Sequence, residues 1–213
     1  MAVASDTNYW HGSAVSRHFA KFTCWGWVVW LAVFPSAAMA GVFSYVTNAN
    51  DTITLTGYHG SRCEVLDIPD SIDGRSVTGI GYHAFYLDDW MSAVTIPSNV
   101  SRIEDGAFHL CSALTNIVFP SGITFMGKEV LSGCGRLKEF TIPSSVTSIG
   151  VRAFAGCHSL TTITIPDRVV SMEAGAFTGC VGLTNVVLGR GIVDIGNNVF
   201  SHCGALQDVT SLG

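Results

Sequence analysis

The sequence predicts a solenoid of the α/β class, mostly β, in which 23-residue units stack so that their strands form a parallel ladder. The main observation is a fixed period that three kinds of residue share, which is the signature of a repeat architecture. The prolines of the series are Pro97, Pro120, Pro143 and Pro166, with Gly189 in the next place. The cysteines are Cys111, Cys134, Cys157, Cys180 and Cys203. The leucines are Leu114, Leu137, Leu160, Leu183 and Leu206.

Residues 1–40 are expected to be an N-terminal lead and a signal peptide. Arg17 and Lys21 precede an apolar run at residues 25–34, and small residues follow up to Ala40. A charged flank, a short apolar segment and an Ala-x-Ala site are the parts of a secretory signal peptide, so cleavage is expected before Gly41. A membrane anchor is the alternative, but it needs about 20 apolar residues and this run is shorter. No stable membrane span is therefore expected after cleavage.

Residues 41–67 are predicted to form an N-terminal β-hairpin that caps the solenoid. The segment FSYVTNANDTITLTGYHG contains two runs rich in β-branched and aromatic residues, separated by turn-forming residues at 48–51. Such a pattern is typical of a hairpin. The spacing from Pro69 to Pro97 is 28 residues, five more than the period, and the segment IDGRS at 72–76 is the expected place of the additional loop.

Residues 68–213 are predicted to form the repeats, about six rungs with the last one incomplete. In each unit a run such as LTTITIP alternates with period two at its end, which indicates a half-buried strand that Pro or Gly terminates. A second apolar pair follows, such as Val146 and Ile149. The segment AFAGC is short and Gly-rich, which favours a short helical or irregular turn. One unit cannot bury its own apolar face, so neighbouring units must stack.

The segment TIPSSVTSIGVRAFAGCHSL at 141–160 resembles the BspA-type leucine-rich repeat of bacterial and protist surface proteins. The resemblance covers about residues 68–206. It implies a leucine-rich repeat fold and a surface protein that acts as an adhesin or a receptor for a host or matrix protein. Three positions depart from the repeat: Asp88 stands in place of Cys, Met91 in place of Leu, and Leu131 in place of Phe.

Composition argues against nucleic acid as a partner. The chain has 11 Lys and Arg residues and a net charge of -5. A protein that binds nucleic acid uses clustered basic residues to neutralise phosphates. We therefore expect an extracellular or host protein as the partner, with a glycan as a second possibility.

The Cys-His pair at 157–158 suggests chemistry at first sight, but its context favours a structural role. Periodic cysteines are expected to be small buried hydrophobes. Disulfides remain an alternative in a secreted protein, although stacked units present parallel side chains that suit a bridge poorly. Zinc binding is disfavoured because no two cysteines have the C-x2-C spacing. The histidines follow no common position in the repeat, and no catalytic motif is present, so no enzyme, metal or cofactor is expected.

The positions between the buried residues of each strand are expected to point outward and to form one binding face. Their side chains are short and weakly charged, which suits protein contacts through shape and hydrogen bonds. The alternative is that they are only the polar complement of a buried strand face. These positions are Ala93, Thr95, Asn116, Val118, Glu139, Thr141, Thr162, Thr164, Asn185, Val187, Asp208 and Thr210.

A second candidate site is an aromatic patch near the N-terminal end, formed by Tyr58, Tyr82, Tyr86 and Trp90. Aromatic rings can stack on sugars, whereas aromatics at a solenoid end can also cover the first rung. Three functions therefore stay open at this stage. The first is protein binding or adhesion through the strands, the second is carbohydrate binding, and the third is a non-catalytic structural segment of a larger surface protein.

Overall fold

The computed structural model describes residues 42–211, which form a solenoid of stacked turns with the expected spacing of 23 residues. No helix occurs within this range. The strands are β1 (Phe43–Thr47), β2 (Ile53–Tyr58), β3 (Val65–Asp67), β4 (Ser71–Ile72), β5 (Arg75–Ile80), β6 (Ala93–Thr95), β7 (Arg102–Ile103), β8 (Asn116–Val118), β9 (Phe125–Met126), β10 (Ser148–Ile149), β11 (Thr162–Thr164), β12 (Ser171–Met172), β13 (Asn185–Leu188), β14 (Asp194–Ile195) and β15 (Asp208–Ser211). The expected leader lies outside the described residues.

The N-terminal hairpin is formed by β1 and β2, which pair antiparallel from Phe43 opposite Tyr58 to Thr47 opposite Ile53. Asp51 in the turn has a φ of 58°, and Arg75 contacts its carboxylate at 2.6 Å. Strand β2 then pairs in parallel with β5. The hairpin therefore covers the first turn of the solenoid by extending one of its ladders, which confirms the predicted hairpin cap.

Two ladders of parallel strands run along the solenoid. The first contains β3, β6 and β8 and, further along, β11, β13 and β15. The second contains β5 and β7 and then β9, β10, β12 and β14. Equivalent residues face each other in register, as with Ile163, Val186 and Val209. Ile163 and Val186 lie in the core, whereas Val209 on the last strand is 49% exposed. Residues 139–141 have no strand assignment, so the first ladder is interrupted between β8 and β11.

The third side of each unit is an irregular turn. The sequence pattern predicted either a short helical turn or an irregular one at this position, and the second of these is present. Two residues four apart in each turn have φ between 53° and 77°, a left-handed conformation that ends any helical propagation. Backbone bonds such as Phe154 N–H to Ala176 O at 2.8 Å join successive turns. The first left-handed position is occupied by His83, Gly106, Glu129, Arg152, Gly175 and Asn198. The second is occupied by Leu87, Leu110, Gly133, Gly156, Gly179 and His202.

The core consists of ladders of identical or similar side chains. Phe154 and Phe177 stack with their ring centroids 4.9 Å apart, and Phe85 and Phe108 stack at 5.2 Å. Leu131 interrupts this series. Two further rings, Phe119 and Phe140, complete the contact from Phe108 to Phe154. Phe119 lies 6.2 Å from Phe108 and 5.2 Å from Phe140, which in turn lies 5.2 Å from Phe154.

The cysteine ladder lies inside the solenoid, and its five thiols form no disulfide. Each Sγ donates to the backbone carbonyl 26 residues earlier, as from Cys157 to Leu131 O at 3.3 Å and from Cys180 to Phe154 O at 3.1 Å. Burial raises the pKa of the Cys134 thiol to about 12. The thiols are therefore protonated donors that join consecutive turns, which agrees with the predicted structural role of the Cys-His pair.

Candidate binding face

The predicted outward positions do lie together on the exposed side of the first strand ladder, which we call the strand face. Thr162, Asn185 and Asp208 form one row in register, and Thr164, Val187 and Thr210 form the parallel row. At the other end of the ladder, Ala93 pairs with Asn116 and Thr95 with Val118. All twelve predicted residues are exposed except Ala93 and Val187, which are half-buried.

The strand face begins one rung earlier than the sequence pattern indicated. Val65 pairs with Ala93 and Asp67 with Thr95, and both Val65 and Asp67 are exposed. The segment EVLDIP carries the same alternation as the later strands. Its spacing of 28 rather than 23 residues to the next unit concealed it.

The alternation of burial explains why these side chains point outward. In β11, Ile163 is 2% exposed, whereas its neighbours Thr162 and Thr164 are exposed. Successive side chains of a strand lie on opposite sides, so the buried isoleucine fixes the direction of both threonines. Within the described residues, no side-chain hydrogen bond occupies the hydroxyl of Thr162 or Thr164.

Threonines at the margin of the strand face have a different role. The hydroxyl of Thr115 donates to Ser92 O at 2.8 Å, and the hydroxyl of Thr184 donates to Thr161 O at 3.0 Å. These bonds join adjacent rungs. The abundance of threonine along the ladder therefore has two causes, and only the outward rows are available to a ligand.

The strand face contains an open depression where the ladder is interrupted. The volume of this depression, which we call the central depression, is about 400 Å³. Phe140 and Ile142, both buried, contribute its apolar surface, and Glu139 stands at the edge. Its remaining lining residues are Thr141, Thr162, Thr164 and Pro166.

The predicted aromatic patch is divided between two places. Tyr58 lies against Phe43 with ring centroids 5.2 Å apart and against Trp90 at 5.4 Å, and both Tyr58 and Trp90 pack on the core. Tyr82 and Tyr86 instead lie on the turn side, where they stack on His83 at 4.0 and 4.8 Å. The first pair covers the end of the core, as expected of capping residues, and does not form a platform with the second.

The polar residues that suggested chemistry are dispersed. Nδ1 of His109 is 3.1 Å from Ser132 O, while His158 and His202 are exposed in separate turns. Residues 42–211 contain no group of three or more side chains placed to hold a metal ion. Asp88, at the position of the missing cysteine, has a raised pKa because burial desolvates its carboxylate.

Comparison with protein families gives six copies of the BspA-type leucine-rich repeat model across residues 78–207, more than half of the chain. The sequence has no match among curated proteins. No helix in the described part of the chain is sufficiently long and apolar for a membrane span.

Solved structures agree with the family match. A leucine-rich repeat protein from Bacteroides ovatus is 33% identical with a TM-score of 0.74, over 79% of this chain and 45% of the other. A leucine-rich cell surface protein from Faecalibacterium prausnitzii is 30% identical with a TM-score of 0.64, over 83% and 55%. The chain thus spans about half of the length of these two proteins. The leucine-rich repeat protein of T. pallidum is 31% identical with a TM-score of 0.65, over 79% of this chain and 90% of the other. The chain therefore belongs to the BspA-type leucine-rich repeat family.

Proposed function

We propose that this chain is a secreted or cell-surface protein that mediates protein–protein interaction or adhesion through its strand face. The leader-like segment at residues 1–40 supports export. The similarity to a protein described as a leucine-rich cell surface protein supports the same location. The strand face supplies the surface on which a partner would lie.

The observation that carries the proposal is the central depression. It lies in the middle of the strand face, between a rung at residues 139–141 and β11, and combines apolar carbon from Phe140 with the carboxylate of Glu139. Binding energy at protein interfaces is concentrated where an anchoring side chain enters such a central recess. An Arg or Lys of the partner fits this chemistry, since its aliphatic stem would cover the apolar surface while its charge meets Glu139.

The dimensions and charge of the strand face support a protein partner. Seven rungs, from β3 to β15, give six steps of about 4.8 Å each, or about 29 Å in all. The charged residues in its two outward rows are Asp67, Glu139 and Asp208, all acidic. A partner with a basic surface would be attracted to this face, and its association rate should fall as salt concentration rises.

The test is binding of the purified protein to an immobilised panel of extracellular and matrix proteins. The variant Thr162→Lys/Thr164→Lys adds two positive charges beside the central depression and should abolish binding. The matched control, Val193→Lys/Asn197→Lys, adds the same charge at exposed positions away from the strand face.

The outcomes separate the candidate functions. Binding that survives in the control and disappears in the strand-face variant supports the proposal. Equal binding by both variants would place the interaction elsewhere on the molecule. Failure to bind any protein of the panel would favour the structural role in a larger surface protein.

Export is tested separately. Expression in a secreting bacterial host should release protein whose measured mass corresponds to a first residue at Gly41. Retention of the full-length chain in the cytoplasm would contradict the proposed location without affecting the binding result.

A further inference from the structure

A second depression lies away from the strand face, on the outer side of the second strand ladder. Its volume is about 560 Å³, within the range of small-ligand sites. Two exposed aromatic side chains line it, Tyr82 with 64% and Phe125 with 44% of the side chain accessible. Its polar lining comes from Arg102, Glu104 and Asp105, with Ser101, Ile103 and Thr124 completing the wall.

The position of Tyr82 is fixed by stacking. Its ring lies on the imidazole of His83 with centroids 4.0 Å apart and planes 12° apart, and His83 stacks in turn on Tyr86 at 4.8 Å. The imidazole of His83 occupies the space where a side chain of residue 106 would lie. This space is free because residue 106 is glycine, and a Cβ at that position would lie 2.0 Å from the imidazole. Tyr82 is therefore a supported aromatic surface, and a ligand that stacks on it loses little side-chain entropy.

The polar groups are held in place as well. Glu104 accepts a hydrogen bond from Tyr82 N–H at 2.9 Å and forms an ion pair with Arg102. Asp105 accepts from Lys128 N–H at 2.8 Å. Each carboxylate has more acceptor capacity than these bonds use. The depression therefore offers fixed acceptors, a guanidinium donor and two rings.

The two aromatic residues of this depression differ from the residues at the same positions in other units. Phe125 is in register with Ser148 and, one rung further, Ser171. The position of Tyr82 is occupied by Val151 and Ala174 in later units. Stacking of the solenoid requires neither ring, since other units are built without them.

We propose that this depression binds a neutral saccharide. Sugar rings present C–H faces that stack on aromatic side chains and hydroxyl groups that both donate and accept hydrogen bonds, which matches the lining described above. An anionic sugar is disfavoured because Arg102 is already paired with Glu104, and Asp105 leaves the site with net negative charge. This site differs from the predicted aromatic patch, of which it shares only Tyr82.

The test uses the full purified chain titrated with neutral gluco-, manno- and galacto-oligosaccharides, with sialylated and uronic acid oligosaccharides as the anionic arm. Ligand-observed NMR detects binding, and calorimetry measures its affinity. The variant Phe125→Ser introduces the residue that two later units have at this position, so the fold should be retained. It should weaken binding of the neutral sugar at least about tenfold, whereas Phe125→Tyr should retain it.

A matched control separates a ligand contact from a structural one. Glu173 accepts a hydrogen bond from Val151 N–H at 3.0 Å, as Glu104 does from Tyr82, but Val151 and Asp194 stand at the positions of the two aromatic residues Tyr82 and Phe125. Glu104→Gln should reduce sugar affinity and Glu173→Gln should not. Equal losses in both, binding only to anionic sugars, or no binding to any member of the panel would overturn the proposal. None of these outcomes depends on the strand face.

Discussion

Leu131 is the one member of the core phenylalanine series that is not aromatic, and restoring the repeat there should destabilise the protein. A family consensus would favour Leu131→Phe. In the structure, however, Phe119 and Phe140 already provide the ring contacts between Phe108 and Phe154. Later and earlier units have Ile163 and Ile117 where Phe140 stands. We therefore infer that the larger ring at 140 compensates for the smaller side chain at 131.

The magnitudes follow from these contacts. Phe140 makes one ring contact with Phe119 and one with Phe154, each with centroids at 5.2 Å. A pair of this kind contributes about 0.5–1.5 kcal/mol beyond burial, so Phe140→Ile should cost about 1–3 kcal/mol. Leu131→Phe adds a ring to a filled core, at a cost of about 1–3 kcal/mol. The double variant moves the ring back to the periodic position and should lie within about 1 kcal/mol of the parent protein.

The assay is urea unfolding followed by circular dichroism for the parent protein, both single variants and the double variant. The expected result is a coupling free energy of at least about 1 kcal/mol, because each single change is harmful and the second reverses the first. Additive effects would refute the reasoning. So would a stabilising Leu131→Phe, since it would mean that position 131 has room that Phe140 does not fill.

Three further predictions concern single positions. Asp88→Cys should raise the melting temperature at neutral pH. Because burial makes ionisation of Asp88 unfavourable, the parent protein should lose stability as pH rises above 3.8, and Asp88→Cys should abolish this loss. A pH series of melting curves for both proteins tests the two outcomes. Gly189→Ala should lower the urea midpoint, since a Cβ would lie 2.5 Å from the backbone of the preceding unit, whereas Gly204→Ala has open space and should be neutral or stabilise by up to about 1 kcal/mol. Iodoacetamide should alkylate Cys203 before Cys157, because Cys203 is half-buried whereas Cys157 is fully buried and its thiol has a raised pKa. Mass spectrometry measures both rates, and equal rates would contradict this prediction.

Most of the fold could be predicted from the sequence because each unit repeats the same burial pattern. The outward direction of Thr162 and Thr164 follows from Ile163 between them, and the hairpin follows from turn-forming residues at 48–51. Such features depend on local alternation and on the period. Both are visible in a single sequence.

Other features depend on contacts between units, and local patterns do not report them. The left-handed turn positions are occupied by residues as different as Leu110 and Arg152, so composition gives little indication of their conformation. The first ladder is interrupted at residues 139–141, in the same unit in which Leu131 and Phe140 differ from the residues at these positions in neighbouring units. The central depression could not be predicted for the same reason.

Departures from the repeat can be sorted by whether the core compensates for them. The pair of Leu131 and Phe140 is an exchange within the core, and its consequence is a change in packing. Tyr82 and Phe125 are departures on the surface, where both rings stay exposed to water and burial does little to stabilise them. A repeat protein needs its periodic residues in order to fold, so ligand specificity must come from residues that vary between units. By that criterion we expect a small ligand to bind beside Tyr82 and Phe125 rather than on a uniform row of threonines. For the strand face, we expect selectivity for a partner to come from the central depression beside Phe140.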